Sequence, residues 1–192
     1  MPQQEGLASA AWIDESGAMD TIIRESTPQD ITTITAIYGH AVLHGRGSFE
    51  VDPPDEAELA RRRDVIIRGG YPYLVAERAG IVVGYTYAAV YRARPAYRFT
   101  VENSVYVAPA QQGAGIGRAL LPALLARCEA NGYRLMVAVI GDSGNAASIK
   151  LHASFGFVHA GVLPAVGWKH GDWLDSVFMT RALGDGAKTA PD

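Results

Sequence analysis

A single cysteine, Cys128, stands alone in this chain. It has no partner for an internal disulfide, so a disulfide scaffold is excluded and a reducing, cytoplasmic setting is expected. Cys128 falls on an apolar helical stripe, which assigns it to packing rather than to nucleophilic chemistry. Basic residues are not in excess: 17 Lys and Arg stand against 20 Asp and Glu, a net charge of −3. That balance leaves no electrostatic footprint for a nucleic-acid partner. No apolar run approaches the ~20 residues a membrane span needs, so no membrane partner is expected. Residues 1–20 lack Lys and Arg and carry no continuous apolar block, so no secretory leader is expected there. They read as a disordered extension, because Met19 directly precedes the first strand pattern. What the chain does have is 48% hydrophobic residues over 192 positions, enough for one domain with a real core. That domain is expected over residues 21–183, with a small, polar, disordered tail at 184–192.

The most informative stretch runs from Glu102 to Arg118, ENSVYVAPAQQGAGIGR. Ser104 to Val107 alternates small or polar residues with β-branched and aromatic ones, the pattern of a strand. Pro109 ends it, since proline cannot donate to a ladder. Gly113, Gly115 and Gly117 follow, and then an apolar helical pattern through Leu120, Leu121, Leu124, Leu125 and Cys128. A strand, a glycine loop and a helix N-terminus in succession form a phosphate cradle. The glycines admit close backbone approach, and the unpaired N–H groups of the first turn point at an anion. No Lys-Ser or Lys-Thr pair follows Gly117, which excludes a nucleotide P-loop. The spacing G-x-G-x-G, late in the chain, does not fit the dinucleotide fingerprint.

Around this motif the chain reads in order as follows. Thr21 to Glu25 predicts a strand. Thr27 and Pro28 open a helix whose apolar positions run from Ile31 to Val42, stopped by Gly45 and Gly47. A second helix is expected from about Asp55 to Arg68, with Arg61, Arg62 and Arg63 on a solvated, charge-balanced face. Strands are expected at Tyr73–Glu77 and Ile81–Tyr91, joined by a turn at 78–80. The polar, aromatic segment 92–98 leads into the strand that ends at Val107. The helix after the glycine loop reaches about Ala130, although Pro122 inside it should cost about 3 kcal/mol. Leu135 to Ile140 is continuously apolar, as for a strand buried on both faces. Asn145 caps a helix to about Phe155. Strands near Phe157–Val166 and Asp175–Arg181 flank an expected loop holding Trp168, Lys169, His170 and Trp173. The order β-α-α-β-β-β-α-β-α-β-β predicts an α/β (mixed α+β) three-layer domain, a mixed central sheet with helices on both faces.

The loop read at Gln112, Gly115 and Gly117 resembles the [Q/R]-x-x-G-x-[G/A] pyrophosphate loop of the GNAT acyltransferases, and the order of elements matches that family. A second segment, Asn145 to Phe157 (NAASIKLHASFGF), resembles the family's N-x-x-[AS]-x-x-[LF]-Y-x-x-x-G-F motif. Within the family, YRFTVENSVYV at 97–107, VAVIG at 137–141 and GWKHGDW at 167–173 are similar to the phosphinothricin / methionine sulfone N-acetyltransferase group. The resemblance implies an acetyl-CoA-dependent N-acetyltransferase, without a metal, acting as a homodimer on the α-amino group of a small amino acid. It places acetyl-CoA on Val105, Tyr106 and Val107 of the strand and on Gln112, Gly113, Ala114, Gly115, Ile116, Gly117 and Arg118 of the loop and helix start. Asn145, Ser148 and Ser154 of the second motif complete that set. Ala114 departs from the pattern, since many relatives carry Lys or Arg there.

Amine acetylation requires deprotonation of the amine, stabilisation of an oxyanion and departure of a thiolate. A free α-amine has a pKa of ~8, so a modest base suffices. Glu102 is the candidate: a carboxylate in an otherwise apolar strand, whose burial would raise its pKa, and the group's catalytic Glu falls at this position. His152 stands where most of the family carries the Tyr that protonates the thiolate. Its ring either donates a proton or only hydrogen-bonds the sulfur. Val105 and Val107 are placed to offer backbone groups to the ligand, and Tyr106, on the other face, reaches a substrate or the core. Arg98, with Tyr97, Phe99 and Phe49, is a candidate clamp for a substrate carboxylate. Lys169 and His170 are weaker candidates for an acidic side-chain end. Competing readings are acetylation of a polyamine, aminoglycoside or protein N-terminus, or a CoA-binding sensor without chemistry.

Overall fold

The computed structural model describes residues 20–191. The expected extension therefore lies, apart from Asp20, outside the described residues. Strands β1 (Ile22–Glu25), β2 (Tyr73–Arg78), β3 (Ile81–Val90), β4 (Thr100–Val107), β5 (Leu135–Gly141), β6 (Val158–Lys169) and β7 (Asp172–Ala182) form one sheet. Helices α1 (Ile31–His44), α2 (Glu56–Arg68), α3 (Ile116–Ala130) and α4 (Ala146–Ser154) flank it. The strand order is β1-β2-β3-β4-β5-β7-β6. Only β4 and β5 run parallel, because α3 carries the chain back across the sheet between them, whereas tight turns join the antiparallel hairpins β2–β3 and β6–β7.

The sheet has two cores. On one face Leu121, Leu124, Leu125 and Cys128 of α3 pack against Leu74, Ala88, Val101, Met136 and Ala138. On the other, Ile34, Ile37, Tyr38 and Val42 of α1 and Leu59 of α2 cover Tyr73, Val75 and Tyr85. Alternation along the strands produces this division, with even positions of β4 facing α1 and odd positions facing α3. Tyr106 takes the core side of its two alternatives: its ring lies 5.1 Å from Tyr85 and meets Tyr38 edge-on at 5.0 Å.

Several expectations change. Pro28 opens a single 3-10 turn, and α1 proper starts at Ile31. Arg63 leaves the solvated face of α2. It is buried, and its guanidinium donates to the hydroxyl and carbonyl of Ser26, while Arg61 and Arg62 pair with Glu58. α3 runs unbroken through Pro122, in its second turn, where the missing N–H frees only the carbonyl four residues back. The expected loop with two tryptophans is a continuous hairpin. Lys169 pairs with Asp172 and Trp168 with Trp173, and the two-residue turn His170-Gly171 has φ of 54° and 75°. Positive φ at both turn positions is what a tight hairpin requires. In the described part of the tail, residues 184–187 form turns, and Thr189 and Ala190 accept hydrogen bonds from Arg134.

Candidate active site

β4 and β5 pair only from Thr100 opposite Leu135 to Asn103 opposite Ala138. Beyond that rung they separate. β4 continues against β3 as far as Val107, and β5 continues against β7 as far as Gly141. Ala108 N donates to Val83 O, so by antiparallel alternation the backbone groups of Val105 and Val107 point away from β3, into the gap. They have no strand partner there. The gap widens into a cavity of about 880 Å³, bounded by β4, β5, the glycine loop, α4 and the mouth of α1.

The glycine loop closes one end. Gly115 is the residue before α3 and has φ 81°, a left-handed conformation that other residues adopt at a cost. Beyond its chain neighbours, no atom lies within 4 Å of where its Cβ would be. That face of the loop is open. Gly117 serves packing instead, since a Cβ there would sit 3.0 Å from Leu151 Cδ2 of α4. No side chain caps α3, so its first N–H groups remain available to an anion. Behind the loop stands Arg78, at the end of β2. It donates to Ala114 O at 2.9 Å, to Gln111 Oε1 at 3.2 Å and to Thr21 Oγ1 at 2.7 Å. Sequence reasoning missed it, because a turn arginine gives no hint of partners 33 and 36 positions on.

Of the residues assigned to the cofactor, Val105, Tyr106, Val107, Gln112, Gly113, Gly115, Ile116, Gly117, Arg118, Asn145 and Ser148 line the cavity. Ala114 and Ser154 do not. Ser154 instead accepts from Arg118, which also lies over the Phe155 ring. Asn145 caps α4 by accepting from Ser148 N at 3.2 Å.

His152 lines the cavity, almost wholly buried, at 4% exposure. Its Nδ1 lies 2.8 Å from the Ser148 carbonyl oxygen. A carbonyl only accepts, so Nδ1 carries the hydrogen. Nε2 is then the acceptor, and Asn103 Nδ2 donates to it at 2.9 Å. Burial lowers the pKa of the ring, partly offset by the Ser148 contact. In this arrangement His152 is neutral and its Nε2 is occupied, which does not favour the imidazolium acid. Asn103 itself gave no sequence signal beyond a polar residue in a strand.

Glu102 lies on the opposite face of β4, half-buried, and burial alone raises its pKa. It does not line the cavity but adjoins Asn103 and Ser104, which do.

The remaining substrate candidates divide into two groups. Tyr97, Arg98 and Phe99 stand before β4, at the end of the strand opposite the gap, and Arg98 is exposed over the Phe99 ring at 4.4 Å. The structure does not bring them to the cavity within one chain. Phe49, Lys169 and His170 instead fix the loop after α1. Phe49 packs over Gly141 and Gly167. Lys169, 4% exposed, donates through Nζ to Ser48 O at 2.6 Å, and His170 Nε2 donates to Gly45 O at 3.3 Å. Arg46, in the same loop, pairs with Asp142 and Asp172. The loop is thereby fastened over the end of β5, beside the cavity. Among the described residues no group of three or more His, Cys, Asp or Glu is placed to hold a metal ion, and no helix is long and apolar enough to cross a membrane.

Residues 34–157 match the model of the acetyltransferase (GNAT) family. The chain is 52% identical over 170 residues to a phosphinothricin N-acetyltransferase of Alcaligenes faecalis, covering 88% of this chain and 86% of that one. It is 43% identical over 173 residues to the L-methionine sulfoximine/L-methionine sulfone acetyltransferase of Salmonella typhimurium, covering 88% and 98%. Among solved structures, the GNAT superfamily phosphinothricin acetyltransferase of Sinorhizobium meliloti in complex with AcCoA superposes with a TM-score of 0.88 at 47% identity, covering 91% and 94%.

Proposed function

The chain belongs to the GNAT acetyltransferase family and is an N-acetyltransferase, and on that premise we propose that it acetylates the α-amino group of a small amino acid. Phosphinothricin, methionine sulfoximine and methionine sulfone are the proposed substrates, in line with the relatives' activities. The observation that carries the reading is the parting of β4 from β5 directly beside the uncapped start of α3. An extended acyl-CoA arm fits such a gap as a strand would, with its phosphates at the helix start. Two features of the site fit that group: the open, positive-φ glycine loop and a buried acceptor, Asn103 Oδ1, that finds no protein partner.

Acetyl-CoA, when bound, supplies an activated acetyl group and a thiol leaving group. The chain's own residues supply the rest. The N–H groups that open α3 hold the pyrophosphate, with Arg78 bracing the loop in place of the cation missing at Ala114. The unpaired backbone of Val105 and Val107 would hold the arm, and an N–H there would polarise its carbonyl. Glu102, its pKa raised by burial, accepts the ammonium proton, directly or through a water. The loop after α1, held by Lys169 and His170, covers the amino-acid side of the cavity.

We further assign a homodimer in the cytoplasm. The outer strand β6 supports the first, since it leaves Val158, Val162, Leu163, Val166 and Trp168 exposed along an unpaired edge. A partner chain would also bring a second copy of the segment holding Arg98. The lone, buried Cys128 suits a reducing compartment. The test is a thiol-release assay over a panel of amino acids and amines. Turnover confined to α-amino acids supports the reading, and preferred turnover of polyamines or aminoglycosides overturns it.

A further inference from the structure

Asn103 occupies the last paired rung between β4 and β5, opposite Ala138, just before the strands part. It is 6% exposed. Its Nδ2 donates to His152 Nε2 at 2.9 Å, and that contact fixes which end of the amide faces the ring. Turning the amide over would set Oδ1 against Nε2, two acceptors with no hydrogen between them, because Nδ1 already gives its hydrogen to the Ser148 carbonyl. Oδ1 is therefore directed away from the histidine. It is the one buried side-chain polar atom among the described residues without a hydrogen-bond partner. A buried acceptor left unmade is costly, and this one belongs to a residue that lines the cavity.

Asn103 and Val105 share the face of β4 that carries α3 and α4, the face of the glycine loop. A ligand group that reached Oδ1 from this side would belong to the arm of a ligand whose phosphates sit at that loop.

We propose that Asn103 is a positioning residue that holds His152 as the neutral Nδ1–H tautomer and presents its own Oδ1 to an N–H donor of the acyl-CoA arm. The second half rests on the acetyl-CoA reading above. The first stands on the ligand-free protein alone. The groups around the ring are Asn103, Ser148 and the Phe157 ring, which meets it edge-on at 4.9 Å. No charged side chain contributes to its titration. His152 consequently acts here as an acceptor that orders Asn103, and the pair works as a unit.

Two measurements test this. Nitrogen NMR of histidine-labelled protein without ligand is expected to give, for His152 at neutral pH, a protonated Nδ1 and an unprotonated Nε2. In N103D the carboxylate should favour a proton on Nε2, as the acceptor of its N–H, and move the ring's titration upward. A protonated Nε2 in the wild-type protein, or identical His152 spectra in N103D, overturns the tautomer assignment. Calorimetry with CoA is then expected to find binding weakened about tenfold in N103L, which matches the volume but has no acceptor, and within about threefold of wild type in N103D, which keeps one. Thermal unfolding of both variants establishes that they are folded. Wild-type affinity in a folded N103L overturns the Oδ1 contact. A wild-type protein that does not bind CoA overturns the acetyl-CoA reading and that contact with it, while the spectra still decide the tautomer.

Discussion

Arg78 and Ala114 are joined by a hydrogen bond of 2.9 Å, from the guanidinium Nη2 to the carbonyl. The contact places a cation at the glycine loop from behind, at the position where the sequence lacks one on the loop itself.

From this contact, R78A is expected to raise KM for acetyl-CoA about fivefold to tenfold, with kcat within about twofold, because a partly exposed charge-assisted bond is worth about 1–1.5 kcal/mol. R78K should recover part of the loss, since one ammonium cannot span Thr21, Gln111 and Ala114 together. Initial-rate kinetics at saturating amino acid decide it. An unchanged KM in R78A removes Arg78 from the site.

Gly115 carries the second prediction. Valine at φ 81° is strained whatever the space around it, and relief of that strain moves the loop. G115V should lose CoA binding by more than about tenfold while keeping its far-ultraviolet circular dichroism. Calorimetry that finds normal CoA affinity contradicts the cradle.

Glu102 carries the third. Its raised pKa means that the active carboxylate form is gained as pH rises through a range above the usual carboxylate value. The acid limb of kcat/KM should therefore report this residue. E102Q should lower kcat by about 10²–10³, flatten that limb and leave CoA binding unchanged. Wild-type turnover at neutral pH removes Glu102 from the mechanism.

Lys169 carries the fourth. Its ammonium is buried against Ser48 O, and burial lowers its pKa. K169M leaves the carbonyl unpaired and loosens the loop, at about 1–3 kcal/mol of stability. The expected result is a lower Tm and a higher KM for the amino acid, with KM for acetyl-CoA little changed. A rise in KM for acetyl-CoA alone contradicts the assignment of this loop to the amino-acid side.

Features that depend on local chemistry were legible from the sequence. Gly113 and Gly115 before an apolar helix announce a cradle, because few other residues tolerate their left-handed backbone, whereas Gly117 proves to serve packing against Leu151. The continuous apolar run at Leu135–Ile140 announces a central strand. Features that depend on distant partners were not legible. Asn103 is an unremarked polar residue until His152, 49 positions on, folds against it. Arg63 reads as one of three exposed arginines until Ser26 meets it. Trp168 and Trp173 read as loop because the turn between them, His170-Gly171, is only two residues long, and the strands on either side are hidden by polar neighbours. Lys169 and His170 are weaker candidates for an acidic side-chain end in the sequence, and only the fold shows their contacts with the backbone of the loop after α1.

The central claim is α-amino acetylation, and the most direct measurement is mass spectrometry of the product formed from acetyl-CoA and methionine sulfone or phosphinothricin, run beside the same compounds without the α-carboxylate. The account predicts a single acetyl group on the α-nitrogen of the amino acids and turnover of the decarboxylated analogues lower by at least about a hundredfold. Equal turnover of both sets, or an acetyl group on any other atom, contradicts it.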